Sequence, residues 1–228
     1  MAGPPMHSLI QGIGVELIYS FVIIVCSLMI YYSTKEMYEL SSYKGIKYFR
    51  QSFLLFAIAY FFRSFIKLLL VYSGASRILD INIKYIGSIT LFIFMFFGSL
   101  AVFYLVYSLM WKKWNNRSNK IIKVFYIISV LISFIIITTQ ETLVFIITSL
   151  FIFAVSIFGL YLTHKQSKEK KKKSSIQIIY TLLFVFWILN IIELLIKFTY
   201  MYQIIIYLSS LGIFLVILYK VLKKTGSN

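Results

Sequence analysis

The sequence predicts an all-α membrane protein, a polytopic bundle of seven transmembrane helices with its N-terminus outside and its C-terminus in the cytoplasm. Three observations carry that reading. Apolar residues make up 61% of the chain, where soluble domains stay near about 45–50%, and the mean hydropathy is +0.89. Seven apolar runs, at 9–33, 50–73, 85–110, 121–139, 142–163, 175–199 and 202–220, are each long enough to cross hydrocarbon, for which about 20 residues suffice. Finally, eighteen of the 23 Lys and Arg fall in alternate connections, 35–50, 112–123, 165–173 and 220–224; the others hold Arg77 and Lys84 after the second run and none at 138–142. Basic connections are retained in the cytoplasm, so every second connection lies there. The runs take up nearly all of the 228 residues, so 1–228 reads as a single multi-pass domain of the cell membrane.

Taken in order, the first run is too long for a secretory signal and keeps Glu16 inside it, so it reads as a retained helix. Its Glu16, Ser20, Ser27 and Tyr31 recur at spacings of four, seven and four, which places them on one inward face. The link 33–50 is mixed-charge and aromatic, and reads as an amphipathic extension at the headgroups with a turn before Gly45. Helix 2 carries Tyr60, Arg63 and Lys67 on one face. Asp80 or Asn82 is placed to cap helix 3, and Ser88, Thr90, Gly98, Ser99 and Ala101 are small enough to let a neighbour approach closely. Trp111 and Trp114, beside Lys112 and Lys113, mark its cytoplasmic interface. Helix 4, Ile-rich with Ser129 and Ser133 inside it, is expected to be the most lipid-exposed. Thr138-Thr-Gln-Glu141 has capping-box spacing, and Ser174 to Gln177 repeats the pattern before helix 6. Helix 7 carries Tyr207, Ser209, Ser210 and Gly212 in its outer half. The two prolines, Pro4 and Pro5, precede every run, which removes the commonest source of kinks.

Helix 6 is the focus. One stripe of it holds Asn190, Glu193 and Lys197, and ionisable groups at mid-bilayer cost at least about 2.5 kcal/mol each without a partner or water. At about 1.5 Å per residue, Glu16, Arg63, Asn190, Glu193 and Ser209 reach one level in the outer half, with Lys67 and Lys197 a turn nearer the surface; the cytoplasmic half shows nothing comparable. Two readings follow. In one, these residues line an outward polar cavity whose net positive charge suits a small anionic or zwitterionic ligand or a lipid headgroup. In the other they are structural: Glu193 pairs with Lys197, and Arg63 neutralises Glu16. An echo is also present, since Arg63-x-x-x-Lys67 and Glu193-x-x-x-Lys197 share one offset that also aligns Phe56 with Phe186. A parallel duplication of three helices leaves such a trace.

A net charge of +16 is spread over these loops without a folded module to present it, which argues against nucleic acid as a partner. The lone Cys26 excludes an internal disulfide, and His7 and His164 fall on opposite sides of the membrane, so no metal centre or cofactor is expected. No nucleophile stands beside a histidine, and no paired aspartates face one another, so the chain does not read as an enzyme. Seven helices with an outside N-terminus, short loops and an outer polar cluster resemble the opsin and receptor class and the seven-helix sensor regions of signalling proteins. That resemblance is one of topology and no family motif is matched. The segment 202–219 lacks the mid-helix lysine that a retinal Schiff base would require. The chain is also similar in helix number to transporters built from duplicated helix triplets, without their proline and glutamine pair. The leading expectation is a receptor-like or sensory bundle whose basic loops, bounded by Lys112 and Lys123 and by Lys165 and Lys173, meet anionic lipid headgroups or a cytoplasmic signalling partner. A small-solute transporter and a non-catalytic scaffold or assembly subunit are the alternatives.

Overall fold

A computed structural model describes residues 6–76, 83–114, 118–139, 147–155, 157–159, 161, 175–195 and 200–225; side chains before residue 14 and at Lys67 and Glu193 are among those outside the description. The described chain is all helix: α1 (Met6–Ser41), α2 (Lys44–Ser76), α3 (Ile83–Trp114), α4 (Ser118–Thr139), α5 (within Ile147–Gly159), α6 (Ser175–Leu195) and α7 (Tyr200–Thr225). Four stretches are long and apolar enough to cross a membrane, Gly14–Ser41, Gly87–Lys112, Asn119–Thr139 and Met201–Lys223, and the chain is accordingly a membrane protein.

Several helices outrun the apolar runs that announce them. With 36 residues, α1 is roughly 54 Å long, well beyond the roughly 30 Å of hydrocarbon, because backbone hydrogen bonding does not stop where apolar side chains do. The link after the first run is thus mostly helix, and the turn shrinks to Ser42 and Tyr43. Ser42 takes a left-handed φ of 48° and donates its N–H to the Tyr38 carbonyl at 2.8 Å, ending α1; the Ile46 N–H bonds Tyr43 O at 2.9 Å to start α2. Gly45 lies inside that first turn because a side chain has no room there. A Cβ would run into the Tyr43 ring and sit 2.9 Å from both Ser108 O and Trp111 Cδ1. At the far end of α4 the expected capping box is not what Thr138 serves. Its hydroxyl donates back to Phe134 O and Ile135 O, and that of Thr139 to Ile135 O, within α4 itself. Glu141, Asp80, Asn82, Ser174 and the loop 165–173 lie outside the described residues.

α2 packs against α1 and α3, α3 against α4, α1 against α7, and α7 against α6. Phe153 stacks on Phe184 between α5 and α6, and Gly159 of α5 meets Val106 of α3. Further contacts run from Tyr180 of α6 to Leu105 of α3 and from Phe53 of α2 to Phe214 of α7. Tyr31 lies against Arg50 while Glu16 lies against Arg63, so α2 runs opposite to α1. Tyr19 against Tyr207 on α7, with Thr34 and Val221 sharing one cavity, makes α7 parallel to α1.

The interior is an aromatic column: Tyr19, Phe53, Phe56, Tyr60, Phe186 and Phe214 are each at most 6% exposed. Rings in that column meet edge-on, as Phe186 and Phe214 do at 4.8 Å, the arrangement their quadrupoles favour. Of the four long apolar spans α3 is the most enclosed, with 56% of it buried, and the Ile-rich α4 the least, with 22%. The small residues Thr90, Ser99 and Ala101 are buried on α3 as expected. Gly98 is not a contact point, since a Cβ there would meet nothing within 4 Å.

Candidate functional site

Glu16, Ser20 and Ser27 lie on the buried stripe of α1, and Tyr31, farther toward its C-terminus, is half-buried beneath the Arg50 guanidinium, 4.6 Å from the ring centroid. Antiparallel packing brings Arg63 of α2 opposite Glu16. Its Nη2 lies 3.0 Å from Glu16 Oε1, and its Nε donates to the same oxygen at 3.1 Å. The two side chains are only 19% and 10% exposed, so the pair is largely removed from solvent. The guanidinium is also flanked by aromatic faces, 5.7 Å from the Tyr60 centroid and 5.8 Å from that of Phe94, a placement in which ring quadrupoles add to the carboxylate's attraction.

One turn inward the polar layer continues to α6. The Tyr60 hydroxyl donates to Asn190 Oδ1 at 3.2 Å, and Asn190 Nδ2 donates to the Phe186 carbonyl one turn back at 2.9 Å. Tyr60 is also edge-on to Tyr19, which stacks on Tyr207 at 4.6 Å. Glu16, Arg63, Tyr60 and Asn190 thereby join three separated segments of the chain at one level, with tyrosines from α1 and α7 completing the layer.

Of the seven residues that the sequence assembles here, the structure brings Glu16 and Arg63 into direct contact and places Asn190 on the same layer through Tyr60. Ser209 is not part of it: it is exposed on the outside of α7, while its neighbour Ser210 is 1% exposed and turned inward. The reason is helical phase. Tyr207, Ser210 and Phe214 share one face of α7 at spacings of three and four, which leaves Ser209 about 100° away. Lys197 and the side chains of Lys67 and Glu193 lie outside the described residues. Tyr60, which the sequence marks only as a face-mate of Arg63, is the group that bridges α2 to α6. Its signal was the offset of the internal echo, since Tyr60 and Asn190 are 130 residues apart, as are Arg63 and Glu193.

At the other end of the bundle the sequence shows no polar cluster comparable to this layer. A cavity of about 130 Å³ opens there between α1, α2, α3, α6 and α7. The Tyr180 and Ser108 hydroxyls meet on its wall, beside the Leu105 carbonyl oxygen, which lies 2.8 Å from the first and 2.7 Å from the second. Tyrosines and serines in apolar runs are too common for sequence spacing to single these two out. Among the described residues no group of His, Cys, Asp and Glu is arranged to hold a metal ion.

No protein-family model matches the chain, and no solved structure does. An uncharacterized protein of Archaeoglobus fulgidus is 31% identical over 225 residues, spanning 97% of each chain. An alignment of that length leaves no helix of the bundle unpaired, and the chain belongs to the same protein family as this archaeal relative.

Proposed function

We propose that the chain is a seven-span receptor-like or sensory protein of the cell membrane, with its N-terminus outside, that binds a small anionic or zwitterionic ligand or a lipid headgroup at the Glu16–Arg63 layer. The observation that supports it most is the Arg63 guanidinium, held between Tyr60 and Phe94 against the Glu16 carboxylate in a largely buried layer. The fixed fork of N–H donors on a guanidinium matches a carboxylate or phosphate. A ligand carboxylate or phosphate displacing Glu16 gains a site already desolvated and oriented. Releasing Glu16 removes one contact between α1 and α2, which gives such a bundle two states to switch between. The packing of α7 on α1 accords with the receptor and sensor resemblance, and the basic loops would meet anionic lipid or a partner on the cytoplasmic side.

The test uses purified protein in detergent with glutamate, glycine betaine, inorganic phosphate and phosphocholine as probes. At least one is expected to raise the unfolding temperature of the natural chain and to leave Arg63→Gln unshifted. Equal shifts in both proteins, or none in either, overturn the reading.

A second reading, a small-solute transporter, is favoured by one observation. Ser20 and Ser27, both buried and without a hydrogen-bond partner, continue from Glu16 along α1 toward the cavity that Thr34 lines. Uptake of the same probes into vesicles, abolished by Ser27→Leu, is the outcome that would select it. Binding without uptake selects the receptor.

A further inference from the structure

The inner cavity has a charge and shape of its own, separate from the Glu16–Arg63 layer. Its walls are mainly apolar, with Phe49, Leu109, Ile179 and Val221 among them, and the Tyr180 and Ser108 hydroxyls on one side. Cavities of about this size with apolar walls accept a benzene-sized molecule, which is a short length of alkyl chain. Tyr43, 37% exposed, stands where the cavity meets the surface. There the rim is basic. Lys112 Nζ lies 5.7 Å from the Tyr43 ring centroid, and exposed Lys44 and Lys47 flank Gly45 and Ile46 of the wall. The acidic groups nearest in sequence, Glu36 and Glu39, leave the rim positive, and Glu39 is drawn 3.8 Å from Lys35. Trp111 packs edge-on against Tyr43 at 5.2 Å, which places its indole beside the rim.

We propose that this cavity is a binding site for an anionic amphiphile, with its alkyl chain seated against Phe49, Leu109, Ile179 and Val221 and its acidic head held at the basic rim by Lys112. The shared chemistry is a carboxylate or phosphate on an apolar tail, from a free fatty acid or from an anionic membrane lipid. The site does not depend on the proposed ligand at Arg63.

The experiment follows quenching of Trp111 fluorescence by bromine on an alkyl chain, in the full chain with Trp114→Phe and Trp187→Phe. The probes are 8-bromooctanoate and its trimethylammonium counterpart in neutral detergent, then vesicles whose brominated chains are carried by phosphatidylglycerol or by phosphatidylcholine. Saturable quenching by the bromooctanoate is expected at roughly tenfold lower concentration than by the cation, with a similar loss of affinity in Lys112→Glu. Val221→Phe, or Leu109→Phe should the first fail to fold, fills the cavity and is expected to remove the saturable component. Stronger quenching by brominated phosphatidylglycerol than by phosphatidylcholine assigns the site to membrane lipid; equal vesicle quenching with saturable bromooctanoate binding assigns it to the free acid. Quenching that never saturates, that persists in the filled cavity, or that the cation achieves equally well overturns the proposal.

Discussion

Glu16 and Arg63 carry opposite charges that meet in the largely buried interior of the bundle. Removing one partner of a buried ion pair strands the second, at a cost of about 3–5 kcal/mol, whereas removing both costs far less. Glu16→Gln and Arg63→Gln are therefore each expected to lower the unfolding temperature in detergent substantially, and the double variant to lose much less than the sum. Additive losses would show that the two do not act as a pair. The Tyr60–Asn190 bond is a weaker matter. Hydrogen bonds between membrane helices average about 0.6 kcal/mol, so Tyr60→Phe, which keeps the ring contacts with Tyr19 and Phe94, is expected to be nearly neutral. Gly45→Ala is the opposite case. It adds one carbon where Ser108 O and Trp111 Cδ1 already stand 2.9 Å away, and overpacking of that kind costs about 1–3 kcal/mol.

At the scale of elements, the α1–α2 junction is where local backbone chemistry decides the geometry. Ser42 occupies a left-handed conformation that costs an L-residue roughly 1–2 kcal/mol and glycine almost nothing. Ser42→Gly is expected to raise the unfolding temperature and Ser42→Val to lower it; a Gly variant no more stable than the natural chain would mean that the turn carries no strain. Exposure separates α4 from the rest. Ile127, Leu131 and Phe134 are 59%, 53% and 58% exposed, so Leu131→Ala is expected to cost little in detergent, while Phe214→Ala, at 0% exposure on α7, should cost about 3–5 kcal/mol. Helices 2 and 6 are linked by residues 130 apart, the offset that also relates Phe56 to Phe186, both 1% exposed. Equivalent positions meeting across two parallel helices is the contact that a duplicated triplet produces on its axis.

For the whole molecule, the orientation inferred from charge is open to direct measurement. Cys26 is 3% exposed and will not compete for a membrane-impermeant maleimide. Ser8→Cys is expected to label from outside intact cells and Thr225→Cys only after the membrane is opened. Labelling of both from one side would remove the outer-half assignment of the Glu16–Arg63 layer. Composition and period alone determined that this is an all-helical membrane protein, roughly where its helices lie, and that α1 turns Glu16, Ser20 and Ser27 inward. Those properties follow from one helix at a time, from hydropathy and a repeat of 3.6 residues. Pairing partners and empty space do not. The sequence left the Glu16–Arg63 pair as one of two readings, put Ser209 in the site in place of Ser210, and gave no sign of the cavity beside Tyr180, because each depends on the rotation and spacing of helices against one another. Only the packing of α1, α2, α6 and α7 set those, by bringing distant apolar faces together and leaving a gap where the turn at Ser42 and Tyr43 crosses the end of α3.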